Sequence, residues 1–290
     1  MKVLIIDIDS KIPNLALKKI EKYHADRGDE VIWNFPLMKN QVDKIYVSSI
    51  FNWNKHLTSE WEGLAEIGGS GWNLQKTLPK EIDDVKPIIN MGFTMRGCTR
   101  KCHFCIVPEK EGKSYVVGDI YDLWDGKSKT LVLFDNNILT LPDHFKLICS
   151  QIKKEGIKVD FNQGLDIRLM TKETAELLKT IKHEEYRFAF DDLSLVKSVE
   201  KGIKILKDAK INRAFWYVYC DENFESALER LLILKRLGQR TYLMRDRRVR
   251  GIKKYNMLAN WSNCLGAMAK MDFFEYIHYY KNRNYFKNED

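Results

Sequence analysis

Cys98, Cys102 and Cys105 are the residues of this chain best suited to carry chemistry. They follow one another as Cys-x3-Cys-x2-Cys inside the stretch from Gly92 to Lys113, with Phe104 immediately before the last. Three thiolates on one short loop can hold three corners of an iron–sulfur cube and leave the fourth iron without a protein ligand. An open coordination position marks a catalytic centre rather than a structural one, by the logic that separates the two kinds of zinc site. The other readings of the same thiols are a zinc knuckle and three unrelated cysteines. Zinc calls for four ligands, usually with Cys-x2-Cys pairs, and His103, lying between two of the cysteines, is poorly placed to complete a tetrahedron.

The spacing, the position of Phe104 and the strand-like run Ile88–Met95 before the loop together resemble the cluster loop of the radical S-adenosylmethionine (radical SAM) enzymes. The resemblance implies a [4Fe–4S] cluster on Cys98, Cys102 and Cys105. Its open iron would bind the amino and carboxylate groups of S-adenosylmethionine. Reductive cleavage would then give methionine and a 5′-deoxyadenosyl radical, with electrons from an external flavodoxin- or ferredoxin-like donor.

The chain has 290 residues, enough for one large or two modest domains. Hydrophobic residues are 44% and charged residues 30%, ordinary values for a globular protein. No run approaches the roughly 18 apolar residues that span a bilayer, and the start lacks the basic flank and cleavage site of a signal peptide. Three cysteines are clustered and three are scattered, which is not a disulfide framework. The expectation is a cytoplasmic protein with no membrane partner. Its net charge of +8 permits an anionic partner without requiring one.

The elements that must position the loop fall into three stretches. Residues 1–87 read as a small Rossmann-like α/β domain and linker, 88–250 as the core, and 251–290 as a C-terminal helical extension. In the first, Lys2–Ile8 is a buried strand. Asp9 and Ser10 offer caps to a helix carrying Leu17, Ile20 and Tyr23, and Gly28 can close that helix. Strands follow at Glu30–Asn34, Lys44–Ser49 and Gly63–Ile67, the last leading into Gly68-Gly69-Ser70-Gly71. This order resembles the cobalamin-binding domain found in one branch of the family, with Gly68 and Gly69 where backbone would approach the cofactor's tail. There is no Asp-x-His-x-x-Gly motif, which that branch does not require. The plainer reading is a shortened domain kept for packing or substrate contact. Trp53 and Trp72 read as packing residues, and His24 and His56 as surface residues rather than ligands.

From Ile88 onward six strand patterns are each followed by a helix or helix candidate, among them Asp119–Trp124 after the cysteine loop. Repeated βα units of about 25–30 residues build parallel sheets. Six is also the count of the partial (β/α)6 TIM-like barrel of radical SAM enzymes. Functional groups in such folds gather at the C-terminal strand ends, and there the chain carries polar clusters. Asp135, Asn136 and Asn137 follow one strand, where the family often has a Gly-Gly-Glu turn for the amino group of S-adenosylmethionine. Gln163, Asp166 and Arg168 follow the next, with Arg168 suited to a carboxylate or to pairing with Asp166. Asp191 and Asp192 follow the fourth, at a position the family uses for ribose hydroxyls. Cys220 and Asp221 follow the fifth, with Cys220 a hydrogen donor or a core thiol. Cys149 reads as buried on a helix face.

Arg245, Arg247 and the basic run to Tyr255 follow the sixth strand and suit phosphates, an acidic small molecule or solvent. Met257, Trp261, Leu265 and Met268 read as one helix containing Cys264. Phe273–Phe286 reads as an outer helix before a frayed Asn288-Glu289-Asp290. The substrate class stays open between nucleic acid or nucleotide, peptide and small metabolite. A cobalamin-dependent radical SAM methyltransferase is a second reading. A non-catalytic metal-binding protein that binds nucleic acid is a third. No cysteine precedes Cys98, which disfavours a second cluster and methylthiolation.

Overall fold

The computed structural model describes residues 1–282, and the chain forms two compact units. The first comprises Met1–Gly92, Gly97–Lys113 and Gly118–Lys127; the second comprises Phe93–Arg96, Ser114–Val117 and the chain from Ser128 onward. Both are α/β with parallel sheets, and no described helix is long and apolar enough to cross a membrane.

In the first unit the elements run β1 (Lys2–Asp7), α1 (Leu15–Ala25), β2 (Glu30–Trp33), β3 (Lys44–Ser48), β4 (Glu66–Gly68) and the single turn α2 (Lys80–Asp83). The sheet order is β2-β1-β3-β4, all parallel, with Leu4 opposite Ile32 on one side and Ile45 on the other. A central parallel strand must be covered on both faces, and β1 is apolar at every inner position. Val3 and Ile5 pack with Leu17 and Ile20 of α1. Leu4 and Ile6 pack with Ile67 and with Trp61, which closes a ten-residue 3-10 stretch, Asn52–Trp61. The cap of α1 is Asn14, whose side chain accepts from Leu17 N, so the helix starts later than Asp9 and Ser10 suggested. His24 is a correction to its surface reading: it is buried, with its ring nitrogens on Asp29 and the Tyr46 hydroxyl. His56 stays exposed.

The strand expected over Ile88–Met95 is broken into β5 (Met91–Gly92) and β6 (Met95–Arg96), with β6 antiparallel to β7 (Tyr115–Val116). The physical reason is an acceptor that is not a strand: the N–H groups of Thr94 and Met95 donate to the Asp135 carboxylate. The short helix α3 (Val107–Lys110) lies between β6 and β7, and the helix expected at Asp119–Trp124 is one 3-10 turn, Ile120–Asp122.

Beyond it, strands and helices alternate: β8 (Thr130–Leu133), α4 (Pro142–Glu155), β9 (Lys158–Phe161), α5 (Lys172–Lys179), β10 (Lys182–His183), β11 (Arg187–Ala189), α6 (Val196–Asp208), β12 (Phe215–Cys220), α7 (Phe224–Arg236) and β13 (Arg240–Arg245). β8, β9 and β10 are parallel neighbours, as are β11, β12 and β13, and a parallel bridge between Leu165 and Phe188 links the two runs. Phe145, Ile148, Cys149 and Ile152 are the buried face of α4, and burial pushes the Cys149 thiol up to about 12. After β13 come α8 (Lys253–Asn263), α9 (Leu265–Lys270) and α10 (Phe273–Asn282). The single helix expected over Met257–Met268 breaks at Cys264, which is extended and exposed between α8 and α9. The end of the expected outer helix, with Asn288-Glu289-Asp290, lies outside the described residues.

Candidate cofactor loop and strand-end groups

The cysteine loop leaves β6 and returns to β7. Its neck is closed by backbone. Cys98 N–H donates to Gly112 O at 2.9 Å, and Gly97 N–H donates to the Glu111 carboxylate at 3.0 Å. Gly97 sits at φ +77°, and a Cβ there would lie 2.2 Å from Lys113 O, so only glycine lets the two sides of the neck meet. Within the loop, Cys105 N–H donates to Cys102 O at 3.0 Å, a tight turn between the last two thiols. Arg100 N–H points at Cys98 Sγ, 3.4 Å away. Cys98 and Cys102 are half-buried and Cys105 is exposed. The half-buried Phe104 meets the His103 ring edge to face. Among the described residues no three His, Cys, Asp or Glu side chains converge on a point for one metal ion. The donor set and the N–H to sulfur contact fit a cluster.

In the second unit the strand-end groups are engaged mainly in holding the fold. Asp135 is 4% exposed. It accepts from Thr94 N and Thr94 Oγ1, each at 2.6 Å, and from Met95 N at 3.0 Å. His144 Nε2 reaches Thr94 Oγ1 at 3.0 Å. Burial raises the Asp135 carboxyl to about 6, against the downward pull of these donors. The chain that enters the cysteine loop is therefore tied to the end of β8. Asn136 is half-buried and Asn137 buried, with Asn137 Nδ2 on Asp166 at 3.2 Å.

Asp166 binds Arg168 through both oxygens, Nε at 2.6 Å and Nη2 at 3.0 Å, while capping its own 3-10 turn. The pairing foreseen as one use of Arg168 is thus formed. Gln163 is exposed. Asp191 accepts from Tyr219 N at 2.8 Å, Asp192 caps the turn at Ser194, and Asp221 accepts from Asn223 N. Cys220 is buried, and burial raises its thiol to about 11. Arg245 donates to Asn256, and Arg247 is exposed in the turn after β13.

Sequence reasoning passed over two groups. Arg230, 3% exposed on α7, donates to Phe190 O, Tyr219 O and Ser226 O, clamping the ends of β11 and β12. The signal was an arginine on the face shared by Ala227, Leu231 and Leu234. Asp160 and Arg187 form a two-armed ion pair, with Nε at 2.6 Å and Nη2 at 3.1 Å, and Arg187 also reaches the Tyr217 hydroxyl. Their signal was a carboxylate beside apolar residues in β9 and an arginine opening β11.

In the first unit, the glycines after β4 face the chain itself. A Cβ on Gly69 would lie 2.2 Å from Ser49 O, and one on Gly71 would lie 2.4 Å from the Phe51 carbonyl carbon. Gly68 has open space, and Asp9 accepts from Ile50 N, Phe51 N and Asn54 Nδ2. Close approach here serves the protein's own backbone, and the residues present do not fit a cobalamin tail. No family model matches the chain, and no curated protein matches it.

Proposed function

We propose that this protein is a cytoplasmic radical SAM enzyme built on a partial (β/α)6 barrel, with one [4Fe–4S] cluster on Cys98, Cys102 and Cys105. The observation that carries the reading is the Cys-x3-Cys-x2-Cys loop with Phe104, its neck pinned by Gly97 and its entry strand held by Asp135. The succession of parallel βα units with polar strand ends supports it. When bound, the cluster supplies the electron that cleaves S-adenosylmethionine. The chain's own residues orient and shield. Asp135 fixes the backbone of Thr94 and Met95 ahead of Cys98. Arg230 fixes the strand ends that carry Asp191 and Asp221. In this reading Asn136 and Gln163 are the strand-end amides that would face S-adenosylmethionine. Asp166 and Arg168 would act as a pair rather than as separate charges. Methyl transfer through cobalamin has no support from the backbone packing around Gly69 and Gly71.

The test is anaerobic reconstitution with iron and sulfide, then reduction with S-adenosylmethionine beside a Cys98→Ala control. Formation of 5′-deoxyadenosine by the native chain alone is the expected result. Uptake of zinc in place of iron would overturn the reading. It would favour a metal-binding protein that binds nucleic acid without catalysis.

A further inference from the structure

A parallel sheet usually has both faces covered by protein. In the run β11-β12-β13 one face is the better covered among the described residues. Phe188, Trp216, Val218 and Leu243 are at most 2% exposed on the covered face. The alternate positions, Arg187, Phe215, Tyr217, Tyr219 and Arg240, are half-buried, and Tyr242 is 45% exposed. The other face is therefore made of rings and guanidinium groups, and it meets the end of β9, where Asp160 pairs with Arg187 and Asn162 O accepts from the Tyr217 hydroxyl; Tyr242 is its exposed ring. Phe215 and Tyr242 lie offset at 6.1 Å with planes 29° apart, and Tyr217 meets Tyr242 edge to face at 6.4 Å. Arg187 and Arg240 sit over the Phe215 ring at 5.3 and 5.5 Å. Asp160 and Glu185 neutralise those two arginines, so the face itself is aromatic and close to neutral.

The charge lies next to it. From Arg245 to Tyr255 the chain carries six cations and one carboxylate. That stretch is moored to the ring face: the Tyr219 hydroxyl donates to Asp246, and Asp246 accepts from Arg248 Nε at 2.9 Å. Arg250 and Lys254 are exposed beyond this anchor. Tyr242 lies on the ring side of β13, about 10 Å along the strand from Arg245, where the basic loop begins and whose own side chain turns to the other side.

We propose that this face and loop bind single-stranded nucleic acid, with a base stacked on Tyr242 and phosphates met by Arg250 and Lys254. Rings beside a basic track are how sequence-tolerant single-strand sites are built. A duplex hides its base faces and cannot use Tyr242. An acidic peptide would use the loop and leave the rings idle. As an assignment of substrate the proposal rests on the radical SAM reading. As an assignment of binding it rests on the face alone.

The experiment is fluorescence anisotropy with a labelled single-stranded oligonucleotide of about ten nucleotides, titrated with the full chain over a range of salt. Tyr242→Ala should weaken binding about tenfold and leave the slope of log Kd against log salt unchanged. Arg250→Ala with Lys254→Ala should reduce that slope by about 1–2. Tyr242→Phe should bind like the native chain. Equal affinity of native and Tyr242→Ala proteins would overturn the proposal, as would equal displacement by polyglutamate. Binding needs no cluster, so the two readings fail separately. Tyr242-dependent binding without 5′-deoxyadenosine sinks only the enzyme assignment. 5′-Deoxyadenosine without such binding sinks only this one.

Discussion

Asp135 shows how a single side chain can change meaning between sequence and structure. At the end of a strand it reads as a ligand for a cofactor ammonium, yet its oxygens are taken by Thr94 and Met95. Replacing it by alanine leaves two buried backbone N–H groups without an acceptor, at roughly 1–3 kcal/mol each. The Thr94 hydroxyl keeps His144 as a partner. Asp135→Ala should therefore lower stability by about 3 kcal/mol, read as a reduced urea midpoint at unchanged slope. Because Met95 lies three residues before Cys98, iron retained after reconstitution should fall as well. Full iron retention in a destabilised variant would mean that Asp135 holds the fold without steering the loop. The same ambiguity runs through Asp166, Asp192 and Asp246. Each accepts an N–H two residues ahead, and a carboxylate in sequence does not say whether it caps a turn or binds a ligand.

Among the elements, helices were the most legible and the strand before the cysteine loop the least. The apolar stripe of α4 with Cys149 inside it follows directly from 3.6-residue periodicity. The break of Ile88–Met95 into β5 and β6 depends on Asp135, some 40 residues away, and no local pattern encodes that. The gap at Cys264 is similar: apolar spacing continues across it while the backbone turns extended. The cysteine loop itself was visible from spacing, but its closure depends on Gly97. With φ at +77° and Lys113 O 2.2 Å from any Cβ, Gly97→Ala must open the neck. The expected outcome is a several-fold loss of bound iron, measured per chain and by the electron paramagnetic resonance of the reduced protein. The thermal midpoint should move by only a few degrees, because the neck contributes little to the core. A variant that kept native iron content would show that the loop tolerates a different closure.

For the molecule as a whole, sequence order and apolar patterning were enough to specify an α/β chain with parallel sheets, because buried parallel strands such as β1 admit little but aliphatic side chains, but not that the cysteine loop belongs to the first compact unit. What patterning does not reveal is where a buried polar group sits against its surroundings, and two such groups set opposing dependences on pH. Burial lowers His183 from 6.5 to about 4, its ring lying between Phe161 and Tyr186. Between those values the unfolded chain binds the proton and the folded chain does not, so this group makes stability rise with pH. Burial raises Asp135 from 3.8 to about 6. Over that window the folded chain holds the proton and the unfolded chain has lost it, so this group makes stability fall with pH. Each effect is on the order of 3 kcal/mol at full extent, and in the native protein they largely cancel between about pH 4 and 6. Removing either one uncovers the other. Relative to the native chain, Asp135→Asn should gain stability as pH rises from about 4 to 6, and His183→Phe should lose it over about 4 to 6.5. Urea unfolding of the three proteins across this range measures both differences. Parallel profiles for native and variant chains would show that neither group titrates differently on folding.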